Sequence, residues 1–418
     1  MKQVKLGEIA TIYNGNSINQ SVKKQKYMND VPGWNYIATK DVGVDGKITY
    51  QNGVIIPYSE KGFRIAPAGS VFVCSEGGSA GKKTAVLQKD VCFGNKLFAI
   101  VNDKGLYNEK YLFYYTRFER FREQFKLLAT SLMGGISVKN LSAIKVPLCS
   151  LQDQHRIVSR IEELFSQLDS GVETLKKTKE QLKVYRQAVL KEAFEGAFTQ
   201  HLTIEDHLEW YKGDIINLPP IPKEWRYIYL SELGELARGK SKHRPRNDAK
   251  LFENGKYPFL QTGDIKSANK YVTVYEKMYG DFGLNQSRLW KKGTLCITIA
   301  ANIAETAFLG LDACFPDSIV GFTANETVLM EYVRYFIEAS KIRLWAFAPA
   351  TAQKNINLKT LENLVIPYCC INEQKKVVEE IESRLSVCDS IEITIDTALQ
   401  EAEALRQSIL KQAFEGGL

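Results

Sequence analysis

Histidine is scarce in this 418-residue chain, and so are the groupings that metal or disulfide chemistry needs. The four histidines offer no metal-ligand spacing, which argues against a zinc or iron centre. The eight cysteines (74, 92, 149, 296, 314, 369, 370 and 388) include no CxxC pair. They sit mostly in apolar, strand-like runs, as reduced core thiols of a cytoplasmic protein do. No run of 18 apolar residues exists, and Met1-Lys-Gln-Val-Lys leads into no signal-peptide core. A soluble, cytoplasmic protein with no membrane partner is expected. Catalytic fingerprints are missing as well. Glu76-Gly-Gly-Ser-Ala-Gly-Lys-Lys83 has the look of a phosphate loop, but Glu76 stands where a glycine is needed and Lys83 replaces the magnesium-binding hydroxyl. Pro316-Asp317 is reminiscent of a nuclease carboxylate, yet Glu326-Thr-Val lacks the lysine two residues on. Asn217-Leu-Pro-Pro is not the Asn-Pro-Pro-aromatic run of an amino-methyltransferase, and there is no GxSxG, HExxH or glycine-rich nucleotide fingerprint. No catalytic, cofactor or metal site is expected in this chain.

Proline is absent from two long stretches, residues 151–198 and 371–418. A constant shift of 220 aligns them without a gap, with 16 of 48 positions identical. The identities gather at the two ends: Gln154/Gln374, Val158/Val378, Ile161/Ile381 and Asp169/Asp389, then Arg186/Arg406, Leu190/Leu410 and Ala193-Phe-Glu-Gly/Ala413-Phe-Glu-Gly. The chain is a tandem duplication, and each half closes with this element. Apolar residues step by four and three, so both copies read as helices roughly 60 Å long that wind on each other. The seam is Ile161, Leu168, Leu175, Leu182 and Val189 in the first copy and Ile381, Cys388, Ile395, Ala402 and Ile409 in the second, with Tyr185, Ile391 and Leu405 on the intervening turns. Gly171, Thr178 and Arg384 interrupt it.

Charge separates the rest into parts. Residues 1–150 carry 21 basic against 11 acidic side chains, and residues 226–370 carry 19 against 14. The helix 151–198 is balanced at 8 and 8, the linker 199–225 has 2 against 5, and the helix 371–418 has 5 against 10. Positive charge is thus confined to two globular domains, as in a protein with two polyanion-binding modules. The bland alternative is a basic protein whose charge has no function.

The two domains share landmarks. Leu6, Glu8, Gly15 and Ser17 match Leu230, Glu232, Gly239 and Ser241. Tyr36-Ile-Ala-Thr-Lys-Asp-Val42 parallels Phe259-Leu-Gln-Thr-Gly-Asp-Ile265, the strand Gly69-Ser-Val-Phe-Val-Cys74 parallels Gly293-Thr-Leu-Cys-Ile-Thr298, and Cys92-Phe93 parallels Cys314-Phe315. Between landmarks the halves diverge, as when one scaffold carries different recognition loops. The aromatic helices beginning at Tyr111 and Tyr332 read as core. The candidates for phosphate contact are loop clusters with no packing role: Lys23, Lys24 and Lys26; Lys82 and Lys83; and Lys240, Lys242, Arg244 and Arg246. The competing reading of each is a solvated turn.

Val146-Pro-Leu-Cys-Ser-Leu-Gln-Asp-Gln-His-Arg-Ile to Asp169, Arg186-Gln-Ala-Val-Leu-Lys-Glu-Ala-Phe-Glu-Gly196, Ile221-Pro-Lys-Glu-Trp-Arg-Tyr, Ile299-Ala-Ala-Asn-Ile-Ala-Glu-Thr-Ala and Cys314-Phe-Pro-Asp-Ser-Ile319 resemble segments of the specificity subunits of type I restriction–modification systems. The resemblance spans essentially the whole chain. It implies an α+β protein with two tandem α/β target-recognition domains, each followed by a long helix, the helices pairing as an antiparallel coiled coil. It also implies a non-catalytic reader of double-stranded DNA with a bipartite, asymmetric site, which docks two modification subunits and also restriction subunits. S-adenosylmethionine, ATP and Mg would then belong to those partners. The alternative is a coiled-coil adaptor that binds proteins, for which the segregated positive charge has no use.

Overall fold

The computed structural model describes residues 1–28, 31–129, 135–198, 204–211, 214–346 and 355–417. They form two compact units, residues 1–176 with 395–418 and residues 177–394. In the first unit the strand Lys2–Lys5 pairs antiparallel with Lys145–Leu148, so the start of the domain is tied to its exit. The main sheet is antiparallel, in the order Thr11–Asn14, Leu97–Val101, Val71–Cys74, Thr84–Val86. Its strands alternate, as period-two side chains must. Val71, Val73, Phe98 and Ile100 face a helical layer containing Tyr111, Tyr115 and Phe121, while Phe72, Cys74, Leu97 and Ala99 join Ile37, Val91 and Phe93 on the other face. A second sheet runs Ile55–Pro57, Gly33–Ile37, Val91–Phe93, Ile65–Ala66, with its middle pair parallel.

The second unit repeats this frame. Arg226–Tyr229 pairs with Val365–Tyr368, and the sheet runs Gly234–Arg238, Ile319–Ala324, Leu295–Thr298, Thr306–Leu309. Tyr271–Val272 extends it with a parallel pairing. The shared glycines have a steric cause. A Cβ on Gly15 would stand 1.9 Å from the Phe93 carbonyl oxygen, and one on Gly239 would stand 2.3 Å from that of Phe315. Residues 199–225, read from sequence as a linker, contain an antiparallel hairpin, Ile204–Tyr211 with Asp214–Pro222. Ile221 and Trp225 are buried in the core of the second unit, so compact structure begins before residue 226.

The long helices are Leu151–Phe194 and Ile371–Glu415. Ser150 caps the first: its hydroxyl accepts from the Asp153 amide at 3.2 Å and donates to the Asp153 carboxylate at 2.7 Å. Each helix begins on its own domain and ends in the core of the other unit. Gln154, fully buried, accepts from the Asn108 amide at 2.8 Å and donates to the Leu106 and Cys149 carbonyls. Gln374 does the same with the Leu329 amide and the Thr327 and Cys369 carbonyls. At the other ends, Phe414 packs edge-on against Tyr111 and Tyr115, and Phe194 against Tyr332 and Phe336. Among the identical residues at the helix ends, Gln154/Gln374, Val158/Val378, Ile161/Ile381, Leu190/Leu410 and Ala193-Phe194/Ala413-Phe414 are the ones buried in domain cores.

Within the first unit Asp169 bonds Arg406, and within the second Arg186 bonds Asp389 at 2.6 Å while Glu192 faces Arg384. Rising numbers meet falling ones, so the segments run antiparallel. Ile161, Val189, Ile381, Cys388, Ile395, Ala402 and Ile409 are buried, and Leu168, Leu175 and Leu182 are half-buried. Tyr185, Ile391 and Leu405 are 46%, 39% and 50% exposed. The contact uses one stripe of the expected two. Gly171, Thr178 and Arg384 share the second stripe with these three, and a stripe without continuous apolar knobs does not close.

Candidate nucleic-acid interface

Strand register places the candidate loops at one end of each sheet. In the first unit Asn14 lies opposite Phe98, Cys74 opposite Leu97 and Val73 opposite Thr84. The 15–26 segment, the 75–83 turn and the turn before Leu97 therefore leave from the same end. In the second unit Arg238 lies opposite Val320, Thr298 opposite Ile319 and Ile297 opposite Thr306, which gathers the 239–248 segment, the 299–305 turn and Pro316-Asp317 in the same way. The other end of each sheet adjoins the long helix through Gln154 or Gln374. One end is an anchor and the other a basic rim.

The rim residues differ in what they already hold. Lys23, Lys24 and Lys26 lie on a short helix, Gln20–Lys26, rather than a loop, because the Asn19 side chain caps it through the Ser21 amide. Lys23 is half-buried with Nζ 4.8 Å from the Tyr36 ring centroid. Burial first, then the nearby Lys40, pulls its pKa below the ordinary lysine value. Lys26 is paired with Glu60 at 2.8 Å. Lys83 donates to the Thr39 carbonyl at 3.2 Å. Arg244 donates to the Ser241 and His243 carbonyls, and Arg246 holds Asp317 at 2.8 Å. Lys24, Lys82, Lys240 and Lys242 are exposed and form no ion pair among the described residues. In the first unit, Lys83 reaching Thr39 and Lys23 sensing Lys40 join two of the candidate clusters around one turn.

The carboxylate of that turn is structural. Asp41 accepts from the Ala38 amide and the Asn52 side chain, both at 2.8 Å, and Asp264 accepts from the Gln261 amide at 2.7 Å. No group of three or more metal-ligating side chains occurs among the described residues, and none of their helices is long and apolar enough to cross a membrane.

Residues 1–184 and 222–401 match the family model of the type I restriction modification DNA specificity domain. The chain belongs to this family. It is 24% identical over 450 aligned residues to the specificity subunit of the type I restriction enzyme EcoBI of Escherichia coli, covering 100% of this chain and 86% of that one. To the EcoKI specificity subunit of E. coli K12 it is 22% identical, covering 90% and 80%. In fold it is similar to a chain from a study of complex assembly and conformational transition in a type I R-M system, with a TM-score of 0.77 at 17% identity over 100% and 98% of the two chains. It also resembles the HsdS subunit of Thermoanaerobacter tengcongensis, with a TM-score of 0.57 at 17% identity, covering 100% and 97%.

In this specificity-domain protein, sequence reasoning overlooked three rim residues. Lys40 is exposed inside the shared turn, where the second domain has Gly263. A basic residue replacing glycine within an otherwise matched motif was the available signal. Lys266 and Asn302 meet at 3.5 Å on the second rim. Nothing in their spacing of 36 residues announces that meeting.

Proposed function

We propose that this chain reads a bipartite, asymmetric site in double-stranded DNA, one half-site per domain, and directs modification and restriction subunits to it without catalysing a reaction itself. The observation that carries this is the repeated sheet whose one end is anchored by identical residues and whose other end bears unlike basic loops. Equal frames place two rims, and unequal rims read different sequences. Two modification subunits supply the S-adenosylmethionine chemistry, restriction subunits supply ATP- and Mg-dependent work, and the complex acts in the cytoplasm. Val184, Tyr185, Val387 and Ile391 are exposed on the second unit's share of the long helices, an apolar surface suited to a docked subunit.

A salt titration on duplex DNA tests the reading. Each phosphate neutralised steepens the log–log slope by about 0.9. Replacing Lys240 and Lys242 together by alanine should weaken binding and flatten the slope, and replacing Arg246, already held by Asp317, should flatten it less. A salt-independent affinity would favour the protein-binding adaptor instead.

A further inference from the structure

We infer that the tip of the 299–305 turn, Ala301 with Asn302, is a base-reading element that takes an adenine–thymine pair through its major-groove edge. The inference rests on the DNA-reading function above. The turn joins Leu295–Thr298 to Thr306–Leu309 and corresponds to the 75–83 turn of the first unit. The Thr298 amide donates to the Glu305 carbonyl at 3.0 Å, as the Cys74 amide does to that of Lys83. Both turns need two left-handed residues. The first unit uses Gly77 (φ 79°) and Gly81 (φ 65°), for which this conformation is free of strain. The second uses Ala301 (φ 63°) and Ala304 (φ 62°), for which it is not.

Packing accounts for only one of these alanines. Ala304 is buried in the core of its unit, so its methyl group gains contacts that offset the strain. Ala301 is exposed and gains none. The turn is nevertheless held shut, because the Thr298 hydroxyl donates to the Asn302 carbonyl and accepts from the Glu305 amide at 3.0 Å. Strain kept in place at an exposed tip beside Lys266 and the Gly239–Lys240 rim points to a ligand. The Asn302 carboxamide oxygen accepts from Lys266 Nζ at 3.5 Å, and its amide hydrogens have no acceptor among the described residues. An asparagine amide pairs with adenine N6 and N7, and an alanine methyl packs on the thymine methyl. The adjacent pair thus matches the two partners of one base pair.

The test is selection from a randomised duplex pool by the full-length chain with its modification subunit, followed by sequencing. The native protein should enrich a split motif. Asn302→Ala should lower the preference for A·T at one position about tenfold or more, leaving the other positions and the salt slope unchanged. Ala301→Gly relieves the strain, so its thermal midpoint should not fall while preference at that same position weakens. Unchanged motifs in both variants would overturn the assignment, and so would a uniform loss at all positions, the mark of a phosphate contact. A native pool with no enriched motif would overturn the DNA-reading function and the tip assignment together.

Discussion

At the anchored end of each sheet the two halves of the chain use the same residues for the same bonds, while at the rim they share a turn (Asp41 and Asp264) and the leading Gly15 and Gly239 but not the basic residues. Gln154 and Gln374 each satisfy one amide and two carbonyls. Tyr111 and Tyr332 each donate to a proline carbonyl, Pro147 or Pro367, at 2.9 Å. At the rim, a lysine-bearing helix in one unit corresponds to an arginine-rich segment in the other, and a glycine-rich turn corresponds to a strained alanine turn. Buried polar groups tolerate no loss of partners, which holds the anchor constant. Exposed loops on a rigid frame carry no such constraint and can vary. The anchors should therefore be interchangeable between halves and the rims should not.

The largest expected effect comes from removing one half. A fragment of residues 1–198 has an open seat on Tyr111 and Tyr115, because Phe414 is gone, and carries an unused Phe194 on an equivalent helix end. Two such fragments should exchange helices, with Ile161, Leu168, Leu175, Leu182 and Val189 replacing the second copy's stripe. An exposed apolar stripe of this size drives association. Two identical rims related by a two-fold axis read an inverted repeat. Sedimentation should show a dimer, and methylation with modification subunits should map to a palindrome of the first half-site. A monomeric folded fragment would break the equivalence of the anchors.

Next in size are single substitutions that cross between halves. Phe414→Ala should destabilise the first unit by about 3–5 kcal/mol, although it lies near the C-terminus, and Phe194→Ala should do the same to the second. Hydrogen exchange resolved by peptide separates the two outcomes. Loss of protection around Tyr332 in the Phe414 variant, instead of around Tyr111, would contradict the exchange of helix ends.

Much of the frame was legible in the sequence because its determinants are local or repeated. Proline-free heptads mark the long helices, and fully apolar runs such as Val71-Phe-Val-Cys74 mark strands covered on both faces. The duplication pointed to the helix ends, since Ala193-Phe194 and Ala413-Phe414 recur together. What those ends touch was not legible, because Phe194 meets Tyr332 far along the chain and no periodicity encodes that. The rim was readable as composition but not as availability. Whether Lys26 or Arg246 is free depends on Glu60 and Asp317, 34 and 71 residues away. The hairpin within 204–222 was hidden by its charge and its prolines, which resemble those of a linker.

The smallest effect concerns the two ion pairs that the duplication makes equivalent, Arg186 with Asp389 and Arg406 with Asp169. Both arginines are 24% exposed and both aspartates about 60%, so solvent screens each pair and each should contribute roughly 0.2–1 kcal/mol. Their surroundings differ. Arg186 also reaches Glu392 at 3.3 Å, where the first copy has Val172, so its environment is electrostatic. Arg406 stands 5.1 Å from the Phe165 ring, where the second copy has Leu385, and a stacked guanidinium keeps part of its attraction in salt. Burial also lowers the Arg406 pKa from its ordinary value. Double-mutant cycles with Arg186→Met and Asp389→Asn, and with Arg406→Met and Asp169→Asn, should be compared at low and high salt. The coupling at Arg186 should shrink as salt rises. For Arg406 the coupling to Asp169 should shrink too, but the cost of Arg406→Met alone should persist, since the ring contact does not depend on a screened charge pair. Equal salt dependence of both arginine substitutions would show that the equivalence of the two halves extends past the identical residues to their unlike neighbours.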